Sequence, residues 1–145
     1  MTLGLRSLAR KTSGRCAIET AARYSLWLWA LHDASRLSHR VRDVLRNPAN
    51  EVWLSPVSTW EALLLNAKGR IQLPANLSEW LMAATAPLRE APLTHEIVLI
   101  AQQLPLPQRD PADRFLAATA QLMDLTLVTA DDSLLRLGTI RTIKN

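Results

Sequence analysis

Three carboxylates stand where predicted strands end and predicted helices begin, and such positions can support metal chemistry. Asp131 follows the apolar stretch LTLVT, Asp113 lies in the first turn after the loop RDPA, and Glu61 lies about a turn and a half into a helix. Glu61 has Trp60 on one side and the run 62–65 on the other, which argues against a solvated position. Ligands of a parallel α/β sheet bind outside the carboxyl ends of its strands. We therefore expect the three acids to converge at one end of such a sheet.

The chemistry expected of this group is metal-assisted hydrolysis. Carboxylates that lie within a few ångströms repel each other and resist ionising together unless a cation holds them. Oxygen ligands without His or Cys nearby favour Mg²⁺ or Mn²⁺ over zinc. Such an ion generates hydroxide and orients a phosphodiester for in-line attack. Taken singly, Asp113 could instead interact with a helix dipole and Asp131 could cap a helix, and the sequence leaves these structural roles open.

The predicted elements alternate between strands and helices. The strands are at 51–55, 88–92, 125–129 and 139–143, and the helical segments are at 33–47, 56–69, 77–86, 94–104, 112–124 and 131–138. The helix at 56–69 starts with Pro and ends with Gly, which is the expected polarity. This alternation predicts βαβ units, with a mostly parallel sheet that is covered by helices on both faces.

Composition bounds the class of protein. The 145 residues suffice for one domain with its own core, and the single Cys16 excludes a disulfide framework and a multi-cysteine zinc site. We therefore expect a reducing compartment such as a bacterial cytoplasm. No run of 18 apolar residues occurs, which argues against a membrane span.

The positive charge is concentrated at the start of the chain. The sequence pI is about 10.0, but residues 1–23 carry five basic residues against Glu19 alone, whereas the remainder carries twelve basic and twelve acidic residues. Bulk charge therefore does not predict a nucleic-acid partner for the body of the chain. We predict an atypical basic segment at 1–23, either disordered or translated out of frame, followed by the domain at 24–145.

Four stretches carry a family resemblance that covers roughly residues 28–145. In order, they are WALHDASRLS, NPANEVWLSPVSTWEALLLNAKGRIQLP, LPLPQRDPADRFLAATAQ and LTLVTADDSLLRLG. Together they resemble a PIN-domain protein of the VapC toxin type. The resemblance implies a three-layer α/β/α sandwich with a mostly parallel central sheet. It also implies a Mg²⁺- or Mn²⁺-dependent endoribonuclease that forms a homodimer and is held in check by a VapB-like antitoxin.

The resemblance also assigns roles to residues by position. Glu61, Asp113 and Asp131 match the family's catalytic metal ligands. Two hydroxyl residues match positions that support the site, and two charged residues match positions that order the loop before Asp113; these are Ser58 and Thr129, and Asp110 and Arg114. Pro111 would rigidify the entry to this helix, and Arg109 and Arg114 could offset the acids or contact phosphate.

The chain departs from the family at its first strand. That strand normally ends in an aspartate, the remaining metal ligand, and counting back from Leu28 places this aspartate at position 23, which is Arg23 here. Residues 19–23 lack the branched apolar residues of a buried strand. The nearest acids, Glu19 and Asp33, do not stand where we expect a strand to end. A guanidinium at position 23 would compete with the metal for the other acids.

Codon degeneracy offers an explanation for this departure. Codons that can encode residues 19–26 can also encode Lys-Leu-Leu-Leu-Asp-Thr-His when they are read one base later. We therefore hypothesise that residues 1–25 are translated out of frame, which the nucleotide sequence can test.

Three functions remain open from the sequence. The first is an active ribonuclease toxin, and the second is an inactive PIN-like remnant that binds an antitoxin or dimerises. For the chain as written we favour impaired activity. The third, a small α/β phosphatase or phosphate-binding domain, uses the same carboxylate chemistry but lacks a glycine-rich phosphate loop, since the chain has only four glycines and none are clustered.

Overall fold

A computed structural model describes residues 15–18, 20–21, 24–107 and 110–145. The strands are β1 (Arg15–Ile18), β2 (Thr20–Ala21), β3 (Tyr24–Ser25), β4 (Glu51–Leu54), β5 (Arg89–Glu90), β6 (Thr126–Thr129) and β7 (Arg141–Lys144). The helices are α1 (Leu26–His32), α2 (His39–Arg46), α3 (Pro56–Ala67), α4 (Leu77–Thr85), α5 (His95–Gln103), α6 (Pro111–Met123) and α7 (Asp132–Leu135), with a 3₁₀ turn at Ala34–Arg36.

Five strands form a parallel sheet in the order β5-β4-β1-β6-β7. The short strands β2 and β3 pair with each other in a separate antiparallel ladder. Because the five strands are parallel, all of them end on the same side of the sheet. We name this side the carboxyl edge; Ile18, Leu54 and Thr129 end their strands there.

Helices cover both faces of the sheet, because apolar residues alternate along the strands. Leu54 and Val128 belong to a buried cluster built with α1 to α4. Trp53 and Leu127, their neighbours in sequence, pack into a second cluster built with α5, α6 and α7. The predicted α/β/α sandwich with a parallel central sheet is confirmed.

Local sequence signals determine where most helices begin. The side chains of Ser55, Asn76 and Thr94 accept backbone N–H groups and cap α3, α4 and α5. Helix α3 is followed by Gly69, whose φ of 67° is a left-handed conformation that glycine adopts readily. The helix predicted at 33–47 is interrupted, since a 3₁₀ turn ends at Arg36 and α2 restarts after its own cap.

The first strand differs most from expectation. The resemblance puts the family's first strand at 19–23, where the sequence lacks strand character, so that strand is doubtful and we expect a domain that begins at residue 24. In the structure, β1 covers Arg15–Ile18. It lies between β4 and β6, with Cys16 opposite Val52 and Thr126. The central strand therefore comes from the basic N-terminal segment. Residues 1–14, 19 and 22–23, including Arg23, lie outside the described residues.

Within the described ranges, no helix has the length and apolar character that a membrane crossing requires.

Candidate metal centre at the carboxyl edge

Glu61 lies on the buried face of α3. The helix starts directly after β4, with Ser55 as its cap and Pro56 at its first position, so its first turns stand at the carboxyl edge. Its buried residues recur at helical spacing and are Val57, Ser58, Glu61, Ala62 and Leu65. The exposed fraction of Glu61 is 6%, whereas Trp60 beside it is 59% exposed. The expectation that Glu61 is shielded from solvent is confirmed.

Two further acids stand at the start of α6. Asp110 caps this helix, because its Oδ1 accepts the backbone N–H of Ala112 at 3.0 Å. Asp113 follows in the first turn and is only 6% exposed. Helix α6 contacts α3, so the start of α6 brings these carboxylates toward Glu61.

The electrostatics of Glu61 show that the three acids interact. Burial first, and then the negative charges of Asp110 and Asp113, together raise the pKa of Glu61 from 4.5 to about 7. A divalent cation would reverse this effect, since it would stabilise the ionised carboxylates. The local field therefore favours a cation at this place.

Two oxygens on α3 have unsatisfied hydrogen-bonding capacity. Within the described part of the chain, Glu61 Oε2 and Ser58 Oγ are buried and have no hydrogen-bond partner. Buried polar atoms normally find partners, because leaving one unpaired costs about 1–3 kcal/mol. These oxygens lie one helical turn apart, so they fit the needs of a hard, oxygen-coordinated ion such as Mg²⁺ or Mn²⁺.

Asp131 has a structural task that the sequence also allowed. It follows β6 and caps α7, since its Oδ1 accepts the N–H groups of Ser133 at 2.8 Å and Leu134 at 3.1 Å. Its own N–H donates to Thr129 Oγ1 at 3.0 Å. Asp131 is not among the charges that raise the pKa of Glu61.

The structure thus groups Glu61, Asp110 and Asp113 electrostatically. Among the residues it describes, no three His, Cys, Asp or Glu side chains are close enough to hold one metal ion together. Convergence of Glu61 and Asp113 with Asp131 on a single ion stays a prediction.

Arg114 orders the loop before α6. Its guanidinium donates to the carbonyl oxygens of Ala101, Leu104 and Leu106 at 2.9, 3.1 and 2.6 Å. This agrees with the ordering role that the resemblance assigned to it. A side chain fixed in this way is poorly placed to reach for phosphate. Arg109, the other arginine suggested for that task, lies outside the described residues.

Sequence reasoning missed two features of this edge. It assigned Asp110 to loop ordering alone, although the charge of Asp110 also acts on Glu61; the signal was the repeated acid in DPAD, which places both acids at one helix start. It also found no acid after a first strand. The expectation that Glu19 does not follow a strand is wrong, because β1 ends at Ile18 and Glu19 is the next residue of the chain. Glu19 itself lies outside the described residues.

Comparisons with known proteins agree with this fold. The sequence model of the PIN domain family matches residues 25–140. No curated protein matches the chain in sequence.

Several solved structures share the fold. VapBC2 from Rickettsia felis, bound to a promoter DNA fragment, has a TM-score of 0.63 at 14% identity, over 90% of this chain and 98% of that chain. DNA-bound VapBC from Salmonella typhimurium has a TM-score of 0.64 at 14% identity, with the same coverage. FitAcB from Neisseria gonorrhoeae has a TM-score of 0.56 at 16% identity, over 88% of this chain and 96% of that chain. At these identities the likeness establishes the fold.

Proposed function

The chain belongs to the PIN domain family, and on that premise we propose that it is a metal-dependent endoribonuclease of the VapC toxin type. Its substrate is RNA, and its cofactor is Mg²⁺ or Mn²⁺. The catalytic metal ligands are Glu61, Asp113 and Asp131. Arg23, in place of the family's first aspartate, impairs this activity in the chain as written.

One observation carries the proposal: Glu61 is buried at the carboxyl edge beside other carboxylates, with an oxygen that no described group satisfies. A protein gains nothing in stability from such an arrangement, because it buries negative charge next to negative charge. Proteins of this family generally depend on a divalent metal. A metal site explains why the arrangement is there.

The residues divide the work of the site. The bound ion would supply a hydroxide nucleophile and neutralise charge on the phosphate. Glu61 and Asp113 would hold it from two different helices, and the hydroxyl of Ser58 would orient Glu61 or a bound water. Asp110 fixes the start of α6 through its cap, so it sets the position of Asp113. Thr129 holds the backbone of Asp131 at the end of β6.

We also propose two partners. The first is a VapB-like antitoxin, which is supported by the likeness to structures described as VapBC assemblies. The second is another copy of this chain, in a homodimer. Light scattering on the purified chain, alone and with a candidate antitoxin, tests both.

The second candidate function is a catalytically inactive PIN-like module that binds an antitoxin or dimerises. Two observations favour it. Arg23 stands at the aspartate position of the resemblance, and the described residues contain no cluster of three ligating side chains.

A cleavage assay separates the two candidates. Structured RNA is incubated with Mn²⁺ and the chain, and with Glu61→Gln, Asp113→Asn and Arg23→Asp variants. The matched control is Glu51→Gln, an acid of the same type at the other end of β4. We expect weak cleavage by the chain. Glu61→Gln and Asp113→Asn should abolish this cleavage, and Arg23→Asp should increase it.

Other outcomes are informative. Cleavage by Arg23→Asp alone supports the inactive module. Equal cleavage by the chain and by Glu61→Gln contradicts the proposed site. If the chain does cleave, a Glu19→Gln variant tests whether the acid that follows β1 supplies the remaining ligand.

A further inference from the structure

The basic side chains of the described residues fall into two groups. In one group they are neutralised: Arg89 pairs with Glu51 at 2.9 Å, Arg141 with Asp124 at 3.1 Å, and Lys144 with Asp132 at 3.4 Å. Arg114 is engaged by backbone carbonyls, as described above. These cations are tied to local partners and serve the fold.

The other group has no ion-pair partner among the described residues, and four of its seven Lys and Arg members lie in one segment, from the 3₁₀ turn through α2; the others are Lys68, Arg70 and Arg136. Residues 36–46 hold four of the twelve basic residues that follow position 23, but only one of the twelve acids. That acid, Asp43, pairs with His39 at 2.9 Å. No described carboxylate pairs with the four guanidiniums, which belong to Arg36, Arg40, Arg42 and Arg46. We name these four side chains the arginine stripe.

Helix stability accounts for only part of the stripe. A cation in the last turn of a helix, such as Arg46 in α2, stabilises the helix through its dipole, but like charges one helical turn apart, such as Arg42 and Arg46, weaken a helix slightly. Arg36, Arg40 and Arg46 are exposed, and Arg42 is half-buried. Uncompensated positive charge on an otherwise neutral domain is typical of a surface that meets a polyanion.

The stripe starts next to the end of β6. Asn145 connects the two regions, because its N–H donates to the carbonyl of Thr129 at 3.0 Å while its side chain accepts the N–H of Ser38 at 2.7 Å and donates to the carbonyl of Arg36 at 3.3 Å. Arg36 is therefore held next to the end of β6, where Asp131 follows.

From this end the stripe leads away from the acids. Helix α2 has eight residues, so it carries the stripe about 12 Å from the carboxyl edge. Its far end, with Arg42 and Arg46, lines a cavity of about 490 Å³ near the start of β4. The segment that carries the stripe thus runs from the end of β6 to the start of β4.

The side chain of Arg36 has a packing partner within the protein. Its guanidinium lies over the ring of Trp29, 4.7 Å from the ring centroid. A cation that is stacked in this way loses less conformational freedom on binding.

We propose that the arginine stripe binds the phosphate backbone of the RNA on one side of the scissile bond; this inference rests on the proposed ribonuclease function. The ion of the metal centre would meet only the scissile phosphate, so the neighbouring phosphates of the RNA need cations outside that centre to hold them. Guanidinium groups suit phosphate oxygens, with which they form paired hydrogen bonds. The stripe supplies four of them within eleven residues, and the first of them, Arg36, lies next to the end of β6.

The test measures RNA binding without catalysis. A fluorescein-labelled single-stranded RNA of about 16 nucleotides, the upper end of common site sizes, is titrated with the chain in EDTA, and anisotropy is recorded at several salt concentrations. Two variants each remove two charges, Arg36→Gln with Arg40→Gln, and Arg42→Gln with Arg46→Gln. The matched control is Lys68→Gln with Arg70→Gln, which removes two exposed charges just after the far end of α3.

Each stripe variant is expected to weaken binding about tenfold near 0.1 M salt. Each should also lower the slope of log affinity against log salt by about 1.4, because a phosphate contact on single strands contributes about 0.7. The control should bind within about twofold of the unmodified chain. Lysine replacements at the same positions should keep the salt slope of the unmodified chain, because they keep the charge, and this separates a loss of charge from a loss of folding.

Three outcomes overturn the inference. One is RNA affinity and salt slope unchanged in both stripe variants. Another is an equal loss in the control, which indicates diffuse attraction. The third concerns the variant Arg42→Gln with Arg46→Gln. If this variant binds RNA normally but no longer binds a polyglutamate peptide, the cavity is a site for an acidic protein segment.

The result is distinguishable from failure of the proposed function. RNA binding through the stripe with no cleavage in Mn²⁺, even by Arg23→Asp, refutes the ribonuclease and leaves the stripe in place. If the stripe variants cleave RNA at the same rate as the unmodified chain, the ribonuclease stands and the role of the stripe is refuted.

Discussion

Two glutamates at opposite ends of the parallel strands have opposite surroundings, one at the carboxyl edge and one at the amino edge, where the strands begin. At the amino edge, Glu51 starts β4 and lies between two arginines, with Oε1 2.9 Å from Arg89 and Oε2 3.7 Å from Arg15. Both guanidiniums also lie over the ring of Trp53. At the carboxyl edge, Glu61 is buried beside other acids and has a raised pKa.

The difference separates a carboxylate whose charge is matched by cations from a buried carboxylate whose charge is not matched by the described residues. The side chain of Glu51 is 40% exposed and its charge is matched by neighbours on the adjacent strands. An exposed ion pair of this kind changes the free energy of unfolding by only about 0–1 kcal/mol. Glu61 has been desolvated without compensation from the described residues, and a fold retains such a group when a ligand supplies the missing charge.

The largest expected effect is on the pH dependence of stability at the carboxyl edge. The pKa of Glu61 rises from 4.5 in the unfolded chain to about 7 in the folded chain, so folding takes up a proton between these values. The stability that this group contributes is present below about pH 4.5 and is lost as the pH rises through 7. Without metal, Glu61→Gln should therefore be more stable than the unmodified chain near pH 8, by on the order of 3 kcal/mol.

Urea unfolding in EDTA at about pH 5 and about pH 8 measures this difference. Near pH 5 the two proteins should have similar free energies of unfolding, since Glu61 is then mostly protonated when folded. A Glu61→Gln variant that is less stable than the unmodified chain at both pH values would contradict the uncompensated burial of this carboxylate.

A smaller effect is expected at Ser58. Its buried hydroxyl has no partner among the described residues, so in the metal-free protein Ser58→Ala should be neutral or stabilising by about 1 kcal/mol. In Mn²⁺ the same substitution should lower the metal-induced rise in Tm, because a group that orients a ligand is lost. Differential scanning calorimetry with and without Mn²⁺ shows both. A loss of about 2 kcal/mol without metal would instead make Ser58 a structural hydroxyl.

The smallest effect is expected at the amino edge. Glu51→Gln removes the charge shared by Arg15 and Arg89, but the pair is partly exposed, so the cost should be about 0.2–1 kcal/mol and should shrink in high salt. Urea unfolding at low and high salt measures it. A cost above about 3 kcal/mol would show that Glu51 behaves as a buried pair, and the contrast between the two edges would fail.

Much of the site was accessible from sequence because it depends on local signals. Apolar neighbours placed Glu61 on a buried face, and the Pro at the start of each helix placed Glu61 and Asp113 at the carboxyl edge. The alternation of strands and helices predicted the sandwich. These features follow from the residues within one or two turns of each site.

What sequence could not settle depends on nonlocal pairing. Strand β1 has weak strand character, yet it occupies the centre of the sheet because β4 and β6 supply hydrogen bonds on both sides of it. The influence of Asp110 on Glu61 arises from the contact of two helices. The cap made by Asp131 was one of two roles that its position allowed, and only the hydrogen bonds to Ser133 and Leu134 show that it is filled.

The most direct test of the metal centre is the binding of Mn²⁺ by isothermal titration calorimetry near pH 7. The unmodified chain should bind one ion and release protons on binding, because metal displaces the proton that Glu61 partly retains at that pH. Glu61→Gln should lose about 100-fold or more in affinity, and Glu51→Gln should bind like the unmodified chain. Equal Mn²⁺ affinity in the unmodified chain, Glu61→Gln and Glu51→Gln would contradict the account. The absence of Mn²⁺ binding in all three proteins and in Arg23→Asp would also contradict it.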